Sequence, residues 1–270
     1  MAVLGHVEWV DFVRLERLPQ PGEIVHAKEA WAEPAGGGAV AAVELTRLAG
    51  SSLFVTALGD DELGRRSHEE LTRLGVRVAA AWRSEPQRRA VTFVDAAGER
   101  TITLLGPKLV AWRADNLPWD ELGEMDAVYF TGGDAGALRA ARGARILVAT
   151  AREVPTLAEA GVPLDALVRS GGDPGETFEP GDVEPPPRLV VSTAGAAGGT
   201  YAESGGELRS FPPAPVPQPV SDTYGSGDSF AAGLTYALAL GLDAPSALAQ
   251  AAARGALAVT RRGAYGLRSG

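Results

Sequence analysis

The chain has no cysteine, and Lys28 and Lys108 are its only lysines among 270 residues. Without cysteine there are no disulfides and no thiolate metal sites, which fits a reducing cytoplasm. Histidine is nearly as scarce. His6, His26 and His68 are scattered, and no two stand at metal-ligand spacing. There is no basic run and no heptad zipper, and the net charge is −9, so nothing draws in nucleic acid non-specifically. The longest apolar run, around Phe230 to Leu242, is too short to span a bilayer. The first thirteen residues lack a basic stretch and carry Glu8 and Asp11 among apolar residues, so they do not read as a signal peptide. The phosphate loop GxxxxGK[ST] is also missing. These absences predict a cytoplasmic protein whose partners include neither nucleic acid nor membrane.

What is present is a long alternation of apolar stretches and helix-like segments. Ala2–Leu4, Leu53–Leu58, Ala127–Phe130, Ile146–Ala149, Leu167–Arg169 and Leu189–Ser192 read as buried strands. Helices are predicted for Ala39–Leu48, for Arg65–Leu74, for Leu138–Arg142, Thr156–Ala160 and Ala244–Thr260. Such alternation implies a mostly parallel sheet covered on both faces. Val7–Leu18 and Val25–Trp31 read as extended segments. Ala90–Val94 and Thr101–Leu105, joined by Asp95–Glu99, read as a hairpin. Together they suggest a second, small sheet outside the main body.

Residues Val220–Gly241, VSDTYGSGDSFAAGLTYALALG, organise the rest. Gly225, Ser226 and Gly227 permit a sharp turn, and Phe230, Leu234, Ala237 and Leu238 recur at helical spacing after it. A glycine turn opening onto a helix N-terminus is an anion site, because unpaired amides and the positive end of the helix dipole point at it. Asp228 stands at its mouth. Alone it reads as a helix cap. Beside an anion site it reads as a general base for a hydroxyl that receives a phosphoryl group. Asp60 and Asp61, before Gly64, read as turn and cap residues. Gly36, Gly37 and Gly38 open a helix without GxGxxG spacing, which leaves a dinucleotide-dependent oxidoreductase as a remote alternative.

Asp222-Thr223-x-Gly225-x-Gly227-Asp228-x-Phe230 resembles the DTxGxGDxF signature of the PfkB family of carbohydrate kinases. Gly59-Asp60-Asp61 with Gly64, Thr193 with Gly195 and Gly198, and Ala258–Ala264 resemble three further segments of that family, so the likeness spans nearly the whole chain. It implies a ribokinase-like α/β three-layer sandwich, one domain over 1–270, with a small β lid from about 7–34 and 88–106. It implies ATP-dependent phosphorylation of a hydroxyl on a sugar or related small molecule. Asp228 would be the base, and Gly225, Ser226 and Gly227 the anion hole. Thr193, Gly195 and Gly198 would line the nucleotide. Glu8, Asp11, Gly36, Gly37 and Gly38 would meet the substrate. Asp173 would help hold Mg²⁺ through water, and Asp222 and Thr223 would flank a monovalent cation, K⁺. A homodimer through the lid is a further expectation.

Two departures bear on the substrate. Val10 and Val40 fall where ribokinase-like sequences carry Asp and Asn facing the sugar, so ribose is not assumed. Ser170-x-x-Asp173 stands in place of the family's NxxE. A ligand-binding or regulatory protein with weakened catalysis is the alternative these departures motivate.

Overall fold

The computed structural model describes residues 1–266. A nine-stranded sheet forms the body, in the order β13-β12-β11-β10-β9-β8-β1-β4-β5. Its strands are β1 (Ala2–Leu4), β4 (Ser52–Gly59), β5 (Val76–Arg83), β8 (Ala127–Phe130), β9 (Ile146–Thr150), β10 (Ala166–Ser170), β11 (Leu189–Thr193), β12 (Gly199–Glu203) and β13 (Arg209–Phe211). All pair in parallel except β12 and β13, which close one edge as an antiparallel hairpin.

Period-two alternation divides the core in two. Val3, Tyr129 and Val148 face one apolar layer, and their neighbours Ala2, Leu4, Val128, Phe130, Leu147 and Ala149 face the other. The first layer holds buried residues of α1 (Gly37–Ala49), α6 (Ser226–Ala239) and α7 (Ala244–Ala258), with Leu71 of α2 (Glu62–Arg73). The second holds those of α3 (Trp119–Gly123), α4 (Ala135–Ala141) and α5 (Val154–Ala160). This is the predicted sandwich of helices, sheet and helices.

A separate four-stranded sheet, ordered β3-β2-β6-β7, stands apart from the body. It comprises β2 (Glu8–Arg14), β3 (Glu29–Ala35), β6 (Arg89–Val94) and β7 (Arg100–Leu105). Its register puts Glu8, Val10, Phe12 and Arg14 on one face, with Arg88, Ala90, Thr92, Val94 and Arg100. Phe12 stacks on Trp31 of β3 at 4.9 Å and meets the Tyr224 ring edge-on at 4.9 Å, so this face looks onto the body. The opposite face carries Asp11, whose partner is Arg89 at 2.8 Å. β7 is the outer edge, exposed along its length.

Several element limits differ from the sequence reading. The strand expected at Val25–Trp31 lies at Glu29–Ala35, while Ile24 and Val25 are exposed loop residues. α2 begins at Glu62, because Asp61 accepts the Gly64 N–H at 2.8 Å and caps it; its other oxygen takes the Gln87 N–H at 2.9 Å. α4 begins earlier than expected for the same reason: Asp134 accepts the Ala137 N–H at 2.7 Å. Among the described residues, no helix is long and apolar enough to cross a membrane.

Candidate active site

The strand ends decide where the site lies. In an open parallel sheet, ligands bind outside the carboxyl ends of the strands. Gly5 and His6 follow β1, Thr131 follows β8, Glu153 follows β9, Asp173 and Glu176 follow β10, and Gly195–Gly198 follow β11. The N-terminus of α6 joins this rim. Gly225 turns the chain there in the left-handed region, φ 71°, and a Cβ on it would lie 3.0 Å from Val40. Beyond it Phe230, Ala231, Leu234 and Ala237 bury the helix against the sheet, α1 and α7.

Asp228 is the third residue of α6, yet it caps nothing. Among the described residues, no hydrogen bond or ion pair engages its carboxylate. Gly37 lies directly against it, since a Cβ on Gly37 would be 2.7 Å from Asp228 Oδ1. Burial pushes the Asp228 carboxyl up to about 6. Arg100 and Arg152 draw it down, while Glu176 and Glu8 push it further up.

On the Gly37 side the floor is polar and closely packed. Cβ atoms on Gly36 and Gly38 would meet Glu8 and His6 at 3.1 Å and 2.7 Å, so glycine lets α1 start against β1. The Gly36 N–H donates to the Tyr224 hydroxyl at 3.0 Å, tying this floor to the α6 turn. Glu8 is buried, with His6 Nε2 at 3.6 Å and Arg88 Nε at 3.4 Å. Burial would raise the Glu8 carboxyl, but His6, Arg88 and Lys108 outweigh it and hold it below its ordinary value. Burial, followed by Lys108, lowers His6. Among the described residues, the buried His6 Nδ1 and Arg88 Nε find no hydrogen-bond partner. Lys108 donates to the Thr131 carbonyl at 2.9 Å and pairs with Glu153. Val10 and Val40 are both buried and apolar.

On the far side of Asp228, the loops after β10 and β11 run together. The Gly171 N–H donates to the Thr193 carbonyl at 2.8 Å. Gly195 is exposed, with φ 55° and open space above it. Gly198 is buried against the Phe211 carbonyl oxygen, which any Cβ would strike. Phe211 in turn stacks on Phe230 of α6 at 5.9 Å, so the loop and helix are positioned together. Asp173 and Glu176 share Arg152, at 2.5 Å and 2.8 Å.

Residues 1–163 and 183–268 match the profile described as pfkB family carbohydrate kinase. The chain belongs to that family. Its fold is shared with a ribokinase from Thermotoga maritima, at 23% identity and TM-score 0.75, covering 97% of this chain and 93% of that one. A ribokinase from Arabidopsis thaliana, solved with ribose and ATP, matches at 24% identity and TM-score 0.73 over 97% and 93% of the two chains. A microbiome-derived acarbose kinase matches at 20% and 0.79 over 98% and 93%. Among curated proteins none matches significantly.

In this pfkB-family kinase the unmatched stretch, 164–182, contains β10 and the Asp173–Glu176 turn, where the sequence also departs from NxxE. Of the residues singled out in the sequence, Asp228, Gly36, Gly37, Gly38, Glu8 and the Gly225–Gly227 turn come together at one place. Thr193, Gly195, Gly198 and Asp173 gather on the neighbouring strand ends. Asp11 stands on the opposite face of the small sheet from Glu8, with Arg89. Asp222 and Thr223 lie under the small sheet. Thr131, Arg88, Lys108 and Glu176 escaped the sequence reading. Glu176 alone left a trace, as the second acid of Asp173-Pro174-Gly175-Glu176.

Proposed function

We propose that this kinase transfers the terminal phosphoryl group of ATP to a hydroxyl of a sugar or related small molecule. The observation that carries this reading is the Asp228 carboxylate, left without a partner among the described residues, at the start of α6 and against Gly37. The acceptor hydroxyl donates its proton to Asp228. In a loose phosphoryl-transfer transition state this proton leaves late, so the position of the carboxylate matters more than its basicity. Amides of Gly225, Ser226 and Gly227 neutralise charge on the moving phosphoryl group. The exposed Gly227 has no atom of the described residues within 4 Å of an added Cβ, which leaves room for that group.

The nucleotide is read as lying along Thr193, Gly195 and Gly198. Asp173 and Glu176 stand beside it with Arg152 between them, and their other oxygens accept the Gly175 and Ser170 N–H groups, so they would meet a Mg²⁺ ion only through its waters. Mg²⁺, when bound with the nucleotide, supplies charge neutralisation of the phosphates. The acceptor lies between the glycine floor and the small sheet, which acts as a lid and excludes water as a competing acceptor. The apolar Val10 and Val40 leave hydroxyl recognition to Glu8, His6 and Arg88. A dinucleotide at Gly36–Gly38 is disfavoured, because its pyrophosphate would face Asp228 and Glu8.

A screen of hexoses, pentoses, sugar acids and nucleosides with Mg-ATP tests the reading. Acceptor-dependent ADP release is expected for at least one class. Release no greater than in the acceptor-free control across the panel would sink it.

A further inference from the structure

The oxygens that the sequence assigns to a monovalent cation are already engaged. Asp222 is fully buried; its Oδ1 accepts the Tyr224 N–H at 3.0 Å, and its Oδ2 accepts the Gly263 N–H at 2.7 Å. The carbonyls on either side of it in the chain each take a guanidinium N–H. Arg14 Nη1 donates to Ser221 O at 3.1 Å, and Arg100 Nη1 donates to Thr223 O. Arg14 Nη2 also stands 3.7 Å from Asp222 Oδ2. An added cation ligated here would displace these donors and sit within a few ångströms of two guanidinium charges, the half-buried Arg14 and the exposed Arg100, both of which repel it. The residues present do not fit a bound monovalent cation.

The small sheet is built to deliver this pair of charges. Arg14 of β2 aligns with Val94 of β6, and Val94 aligns with Arg100 of β7. The two arginines thus occupy one cross-strand row, two strands apart, or about 10 Å between backbones. They straddle Ser221–Thr223 from above. Arg14 is further held by Glu29 at 3.7 Å and by the Trp31 ring at 5.8 Å. Arginine suits the task, since its planar fork satisfies carbonyl and carboxylate oxygens together and it never loses its charge. The Gly98 carbonyl, at the tip of the same sheet, accepts the Thr223 N–H at 3.0 Å and completes the seating.

We infer that Arg14 and Arg100, reaching from the small sheet, take the place of a monovalent cation beside the anion turn, so that this chain neither binds nor needs one. The inference rests on the reading of Gly225–Gly227 as the anion-binding element. Its consequence is that fixed charge reaches the turn only while the small sheet is seated on it, whereas an ion would arrive independently of the sheet.

Thermal melting in choline, sodium and potassium chloride at equal ionic strength tests this without reference to turnover. An ion bound only by the folded chain raises its melting temperature. The native chain is expected to melt alike in all three salts. A potassium-specific rise of roughly 5 °C, the scale that a well-occupied site brings to a domain of this size, overturns the inference. Arg14→Met and Arg100→Met are each expected to melt lower in choline and to be restored by potassium. A purely structural role for either arginine predicts no such salt specificity, and a variant that melts alike in potassium and choline overturns the replacement. Should Arg14→Met fail to fold, Arg100→Met gives the same reading, because that side chain is exposed. Phosphotransfer is assayed separately in potassium-free buffer. Absence of turnover in every salt, with the melting pattern as expected, counts against the kinase reading and leaves this inference standing.

Discussion

At the scale of the residue, Asp228 combines a chemical role with a thermodynamic cost. Its carboxyl is raised from 3.8 to about 6, first by burial. In the proposed reaction, asparagine in its place would remove the proton acceptor, so kcat is expected to fall by about 10²- to 10⁴-fold with ATP binding preserved. The same change removes a charge that the fold holds at a penalty of about 1 to 3 kcal/mol at neutral pH. Asp228→Asn should therefore melt higher than the parent; a lower melting temperature would contradict the burial argument. Glu33 behaves alike, pushed up to about 7 chiefly by burial and partly drawn back by the Ala264 amide. For both acids the folded value exceeds the unfolded one. Their stabilising contribution is present below the unfolded values and is lost as pH rises through about 6 and 7. The melting-temperature gain of Asp228→Asn over the parent should thus shrink from pH 8 to pH 5, while kcat/KM declines below about pH 6 as Asp228 protonates. A gain that stays level over that range would contradict this account. The sequence makes Asp228 legible because its neighbours form a rare pattern over nine consecutive residues. Arg88, Lys108 and Thr131 were not legible, because each comes from a different loop and acquires meaning only where the loops meet.

At the scale of the element, the turn before α6 contains two glycines kept for opposite reasons. Gly225 needs its left-handed φ of 71° and has Val40 3.0 Å from where a Cβ would stand. Gly227 has ordinary backbone and empty space over it. Gly225→Ala should lower stability by about 1 to 3 kcal/mol, seen in the denaturant midpoint. Gly227→Val should leave that midpoint within about 1 kcal/mol and still abolish most turnover, because its side chain fills the space that the proposed function gives to a phosphate. Equal effects of the two changes on stability would refute the distinction. α6 itself was legible from helical periodicity and a glycine start. β3 was misplaced by four residues, and the reason is physical. Ile24 and Val25 look like strand residues but are exposed, whereas Glu29 and Glu33 inside β3 look like loop residues. Their charges are answered by Arg262 at 2.6 Å and by the Ala264 N–H at 2.7 Å, partners more than 200 positions away in the chain.

At the scale of the whole molecule, a buried ion cluster joins the start of the chain to its end. Glu44 of α1 has a side chain only 1% exposed, and it meets Arg254 of α7, Arg261 at 2.9 Å and Arg47 at 3.6 Å. Removing the acid strands three guanidinium groups together. Glu44→Gln is expected to cost about 3 to 5 kcal/mol, measured by urea unfolding. A loss under about 1 kcal/mol would show that the arginines find water instead. The sandwich architecture was readable from alternation alone, since parallel strands buried on both faces give continuous apolar runs. The cluster was not, since Glu44 reads as an ordinary polar residue on an amphipathic helix.

The seating of Arg14, Gly98 and Arg100 on Ser221–Thr223 also constrains how acceptor choice is to be re-engineered. On the function proposed above, transplanting the small sheet from another kinase would exchange the surface over the acceptor, but it would unmoor the phosphate end in the same stroke. A dead chimera would then report a loosened turn rather than a poorly fitting sugar. Acceptor preference in this chain is better rewritten on the floor, at His6 or Val40, where a point change leaves that seam intact.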